Sequence, residues 1–282
     1  MRRWGIALLP CLILASLPLL AQPPSPAGTA PAERPVPNPQ APMYRQVGEQ
    51  YRAYPFPGTG EPIPYRLFVP ESWTPEQHLP ILITLRAGTS IDNNHRDNND
   101  LMLQARAHGY LLISPLGYRG YAQPYYGSPY PVLRPNGPSI PAQGWTAEED
   151  ARAEQDVLNV LSLVAAEYNA DTTRVFIHGQ NPSGSAALNF VGKYPDVFKA
   201  AVISSAPIDT GPYPFENLAG KVALFILHGD KDTNNPIAAS EAMAQTFQDH
   251  GIETIYSVVA GGEHLNAYLL AADAIYDFLD AH

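Results

Sequence analysis

The chain is poor in the residues that carry several familiar chemistries. It has a single cysteine, Cys11, and that lies inside an apolar N-terminal run, so the rest of the chain offers no thiolate nucleophile and no disulfide. Charge is scarce at 16% of residues, and the basic part is the smaller one: 17 Lys and Arg against 27 Asp and Glu, a net charge of −10. Such a field repels phosphate backbones and anionic membrane surfaces, which excludes nucleic acid as an expected partner. No internal repeat is visible, so solenoids and propellers are excluded as well.

Proline and apolar residues are in excess, and both are unevenly placed. Residues 4–21 form an apolar run behind Arg2 and Arg3, broken by Pro10 and Pro18, in the order of a cleaved signal peptide; the competing reading is a retained anchor. Cleavage would take the net charge to −12, remove the only thiol and leave no membrane segment, so the expected location is secreted or periplasmic. Eight of the 22 residues from Gln22 to Met43 are proline, with too few apolar side chains to offset ordering entropy, which predicts a disordered tether. Residues 44–282 remain, enough for one large α/β domain or two small ones.

Within that domain, segments 50–56 and 63–69 read as a hairpin around Pro57-Gly58-Thr59-Gly60. Buried-strand runs follow at 80–85, 110–114, 174–178, 200–204, 222–227 and 254–259. Helical spacing falls between them at 101–108, from Thr146 with a Thr146/Glu149 capping box, at 183–193, from Pro236 to Gly251, and as one last helix over 266–279. Alternation of this kind requires crossovers. It predicts a mostly parallel sheet with helices on both faces and an antiparallel hairpin at one edge. Ligands of such sheets bind beyond the carboxyl ends of the strands.

Two of those strand ends carry an acid and a base. HGDKDTNNP offers Asp232 and AGGEH offers His264, in the order of a Ser–Asp–His triad whose serine stands on a G-x-S-x-G turn. The turn after RVFIH reads Gly179-Gln180-Asn181-Pro182-Ser183-Gly184, with Asn181 in the place of the serine. From about Pro64 to the C-terminus the chain resembles the secreted carboxylesterases of the α/β-hydrolase superfamily, among them feruloyl esterase-like, polyhydroxybutyrate depolymerase-like and prolyl oligopeptidase-like members. The stretches that carry the resemblance are IPYRLFVPESW, LPILITL, HGYLLISPLGY, KYPDVFKAAVISSAP, VALFILHGDKDTNNP and VVAGGEHLNAYLLAADAIYDFL. It implies an α/β-hydrolase fold with Asn181 at the nucleophile position, Asp232 at the acid and His264 at the base.

The same resemblance places the oxyanion donors at residue 182 and just after strand 80–85. Pro182 has no N–H to give, and Ala87 stands in a turn where the family has His-Gly. A carboxamide is a very poor nucleophile. The expected activity is therefore that of an impaired esterase relative or a binding pseudoenzyme. An active carboxylesterase or peptidase-like hydrolase that uses a displaced serine such as Ser183, or water activated by His264, stays open beside it.

Segment 117–144 holds five tyrosines and six prolines, and Tyr121, Tyr125 and Tyr126 are candidates to line a site for a small ester, a sugar or a polyester. The Asn/Asp-rich stretch IDNNHRDNND lacks the spacing of a calcium loop, and His178 and His228 lack partners at metal-ligand spacing. No metal or cofactor is expected, and oligomeric state is left open.

Overall fold

In the computed structural model the described residues are 33–85, 99–118, 146–206 and 213–282. Arg34–His282 forms one compact unit. Its strands are β1 (Gly48–Pro55), β2 (Pro62–Val69), β3 (Ile81–Leu85), β4 (Leu111–Pro115), β5 (Val175–Gln180), β6 (Ala200–Ser204), β7 (Ala223–Gly229) and β8 (Thr254–Val259). They form one sheet in the order β1-β2-β4-β3-β5-β6-β7-β8. β1 pairs antiparallel with β2, and β2 antiparallel with β4; every later pairing is parallel.

The sheet is central because its inner strands, β3 to β7, are buried on both faces. Successive residues alternate between two cores: Ile81, Ile83, Leu111, Ile113, Val175, Ile177, Leu224 and Ile226 face one side, and Leu82, Leu112, Phe176, Phe225 and Leu227 the other. The first core takes α2 (Ala147–Tyr168), α3 (Pro182–Lys193) and α5 (Ile237–Asp249) through Val157, Val164, Leu188, Phe190, Met243 and Phe247. The second takes α1 (Asn99–His108), α6 (Ala267–Leu270) and α7 (Ala272–Asp280) through Leu101, Ala105, Ala267, Tyr268, Ile275, Tyr276 and Leu279. A short helix, α4 (Phe215–Leu218), precedes β7. The capping box of α2 forms as expected: Glu149 N donates to Thr146 Oγ1 and Thr146 N to Glu149 Oε2.

Three boundaries differ from the sequence reading. The last helix breaks at Ala271, whose φ of −102° and ψ of 12° depart from helical values although its N–H still donates to Ala267 O at 3.1 Å. Helix α4 has only four residues, too few to show a periodicity. The proline-rich segment, read as tether up to Met43, lies against the domain from Arg34 on: Arg34 Nη1 donates to Asn159 Oδ1 at 3.3 Å, and the Arg52 guanidinium donates to the Met43 carbonyl. Residues 1–32, including the expected signal peptide, lie outside the described residues.

Candidate active site

Asn181 stands between the end of β5 and the start of α3, with φ 52° and ψ −120°. A residue with a Cβ rarely adopts that backbone; such positions cost about 1–3 kcal/mol and persist only where the surroundings hold them. The surroundings do hold it. Asn181 N donates to Ser204 O at 2.8 Å, and Gly184 N donates to Asn181 O at 3.0 Å. The turn is so tight that a Cβ on Gly179 would lie 2.0 Å from Ser183 O, and one on Gly184 2.5 Å from Ala206 Cβ. Pro182 occupies the first helical position, where its fixed φ suits the helix and its missing N–H breaks no helical bond. Ser183 is fully buried on α3.

Asp232 and His264 arrive from the ends of β7 and β8, and their loops are joined backbone to backbone. Lys231 N donates to Gly262 O at 2.8 Å and Gly261 N to Asp230 Oδ1 at 2.7 Å. A Cβ on Gly229 would meet Gly262 O at 2.1 Å, so only glycine allows this approach. Gly229→Ala is expected to cost about 1–3 kcal/mol by forcing the loops apart, read as a lowered midpoint in urea unfolding.

The joined loops set His264 Nδ1 2.9 Å from Asp232 Oδ2. Asp232 Oδ1 accepts from the N–H groups of Asn234 at 2.8 Å and Asn235 at 3.0 Å, closing a turn on its own side chain. Burial would raise the Asp232 pKa, but the Asn235 N–H, His264 and the Asn234 N–H outweigh it and hold the carboxyl below its ordinary value. That stabilisation is complete above the unfolded pKa of 3.8 and is lost as pH falls through the lower folded value. Asp232→Asn should accordingly flatten the decline in stability below about pH 4, measured by denaturant unfolding across that range.

Three further residues complete the site, none of them singled out for it by a motif. Asn235 Nδ2 donates to Ser205 O at 2.8 Å and to Asn181 Oδ1 at 3.2 Å, linking the acid loop to the turn at Asn181. Gln180 Nε2 donates to His264 O at 2.6 Å. His228 is fully buried; its Nδ1 lies 2.7 Å from Ser240 Oγ, and its Nε2 lies 2.9 Å from Asp232 Oδ2, off the line of a hydrogen bond. Only the i, i+4 spacing of His228 and Asp232 could have signalled this contact. His178, by contrast, lies beneath the turn with Nε2 3.0 Å from Ser204 Oγ, and burial pushes its pKa down to about 3.

Thus the fold brings together Asn181, Asp232 and His264, with Pro182 beside them. Ala87, Tyr121, Tyr125 and Tyr126 lie outside the described residues, as does most of the Asn/Asp-rich stretch. Among the described residues no group of three or more His, Cys, Asp or Glu could hold a metal ion.

The model of the Esterase family matches residues 57–267, three quarters of the sequence. The chain belongs to the Esterase family. No curated protein matches this Esterase-family chain in sequence. In fold it is similar to a thermostable esterase (17% identity, TM-score 0.60), covering 83% of this chain and 62% of that one. A ferulic acid esterase (17%, TM-score 0.57) and the fluorophosphonate-binding serine hydrolase F of Staphylococcus aureus (16%, TM-score 0.58) each match over 83% of this chain and 97% of their own. The chain thus spans less than two thirds of the thermostable esterase, and only 36% of a dipeptidyl aminopeptidase IV from Bacteroides ovatus that it matches at 13% identity and TM-score 0.60. At these identities the likeness establishes the α/β-hydrolase fold.

Proposed function

We propose that this Esterase-family protein is an exported binding relative of the carboxylesterases, in which Asn181 stands where the serine nucleophile would be and hydrolysis is strongly impaired. The observation that carries the reading is the backbone of Asn181: a non-glycine residue at φ 52° and ψ −120° on a strand-to-helix turn, one asparagine away from the Asp232–His264 pair. That is the strained turn on which a serine nucleophile is presented. An amide there has no basic lone pair with which to attack an acyl carbon.

Pro182 supports the same reading from a second side. The residue after the nucleophile gives one N–H to the oxyanion, and proline has none. Loss of the nucleophile costs on the order of 10⁶ in rate and loss of one oxyanion donor about 10²- to 10³-fold. Export rests on residues 1–21, and mature protein beginning at Gln22 would test it by mass spectrometry.

The test of impairment is a fluorophosphonate probe on the purified mature protein. No labelling is the expected result, and covalent labelling of any serine overturns the reading. A second reading, hydrolysis by a water molecule on His264, is favoured by the absence of any partner for His264 Nε2 among the described residues. It requires ester turnover without labelling, abolished by His264→Ala.

A further inference from the structure

We infer that Asn181 and His264 together form a receptor for a neutral hydroxyl group, so that the site selects the alcohol half of an ester over its acid half. The inference rests on the non-hydrolytic reading above and adds to it the chemistry of the ligand.

Ser205 O can only accept a hydrogen bond, so the end of Asn235 that lies 2.8 Å from it is the amide nitrogen. The same nitrogen lies 3.2 Å from Asn181, and the atom that meets it there must be an acceptor, Oδ1. Both carboxamides are thereby oriented by the network itself. Asn181 Nδ2 is left at the opposite end as a donor with no partner among the described residues.

His264 is fixed by the same logic. Asp232 is an ionised carboxylate that only accepts, already taking two backbone N–H groups on Oδ1, so His264 Nδ1 at 2.9 Å carries the proton. With that proton on Nδ1, Nε2 is the nitrogen that presents the lone pair. It too has no partner among the described residues, on a side chain only 10% exposed.

Among the described residues, Asn181 and His264 therefore offer one donor and one acceptor. A hydroxyl can both accept from a donor such as Asn181 Nδ2 and donate to a lone pair such as that of His264 Nε2. A carboxylate can only accept: it satisfies Asn181 but faces the His264 lone pair with the Asp232 charge directly behind it, on a chain of net charge −10. An ammonium group fails in the opposite sense, leaving the Asn181 N–H unpaired.

Benzyl alcohol and benzoate share a ring and differ in this one respect. Titrated into the mature protein at pH 8 and followed by ligand-observed NMR, benzyl alcohol should bind at least about threefold more tightly than benzoate. Asn181→Asp, of equal size, replaces the donor by an acceptor and should weaken benzyl alcohol about 3- to 10-fold, the worth of one neutral hydrogen bond. Asn235→Ala leaves Asn181 in place but unpinned and should cost about threefold. Benzoate binding as tightly as benzyl alcohol, no detectable binding of benzyl alcohol, or affinity unchanged in Asn181→Asp would overturn the inference. A labelled serine in the fluorophosphonate experiment would instead overturn the non-hydrolytic reading, whatever these probes do.

Discussion

Asn181→Ser alone should restore little hydrolysis of p-nitrophenyl acetate, whereas Asn181→Ser combined with Pro182→Met should turn it over about 10²- to 10³-fold faster than the single variant. The backbone at position 181 is already in place, held by the Ser204 carbonyl and by glycines at 179 and 184 that admit no Cβ. The Asp232–His264 pair is also formed, with Asp232 ionised and its loop locked to that of His264. What a serine at 181 would still lack is the N–H of residue 182 to receive the negative charge on the tetrahedral intermediate. Methionine supplies it at the first helical position, at a cost of about 0.4–1 kcal/mol from the freer unfolded chain. Equal turnover by the two variants would place the oxyanion donor elsewhere and remove Pro182 from the argument.

The features that make this prediction possible differ in how far the sequence alone reveals them. The sheet is legible because runs such as ALFIL, and ILITL apart from Thr84, are apolar throughout, a pattern that two-sided burial favours and that survives without any tertiary information. The turn at Asn181 is legible because Gly179 answers contacts within five residues in the chain, with Ser183 and Gly184, although Gly184 also answers Ala206, 22 residues on. Asn235, Gln180 and His228 are not. Asn235 reaches partners 54 and 30 residues away, and Gln180 one 84 residues away, and such pairings leave no period or spacing behind. The polarity of the site thus depends on contacts that composition and motif do not encode, although the positions of Asn181, Asp232 and His264 do follow from motif.

The proline-rich segment shows the same limit from the other direction. Its composition argues for a free coil, yet beyond Arg34 its fate is decided by Glu167, 122 residues downstream of Arg45. Glu167 Oε1 accepts from Arg45 N at 2.6 Å, and its Oε2 from Arg52 Nη1 at 2.8 Å, while Arg45 Nε donates to the Glu167 carbonyl at 3.0 Å. The Arg52 and Glu167 side chains are each only 7% exposed. Arg52 spends its remaining donors on Gln50 Oε1, the Tyr168 hydroxyl and the Met43 carbonyl, so one guanidinium ties β1, α2 and the end of the proline-rich segment together.

Glu167→Ala should therefore destabilise the domain by about 3–5 kcal/mol, because it strands a buried guanidinium without its counter-charge. For a domain of this size that corresponds to a fall in melting temperature on the order of 10 °C. The loss of the Arg45 bond should also release the segment Arg34–Met43, so limited proteolysis within it should accelerate more than cleavage elsewhere. Replacing both partners, Arg52→Met with Glu167→Leu, removes the stranded charge and should recover most of the melting temperature, since a buried ion pair contributes little net stability over apolar packing. The proteolytic sensitivity should persist in that double variant, because the Arg45 backbone N–H and the Met43 carbonyl would still lack their partners. Recovery of protease resistance together with the melting temperature would mean that apolar packing, and not these hydrogen bonds, seats the segment.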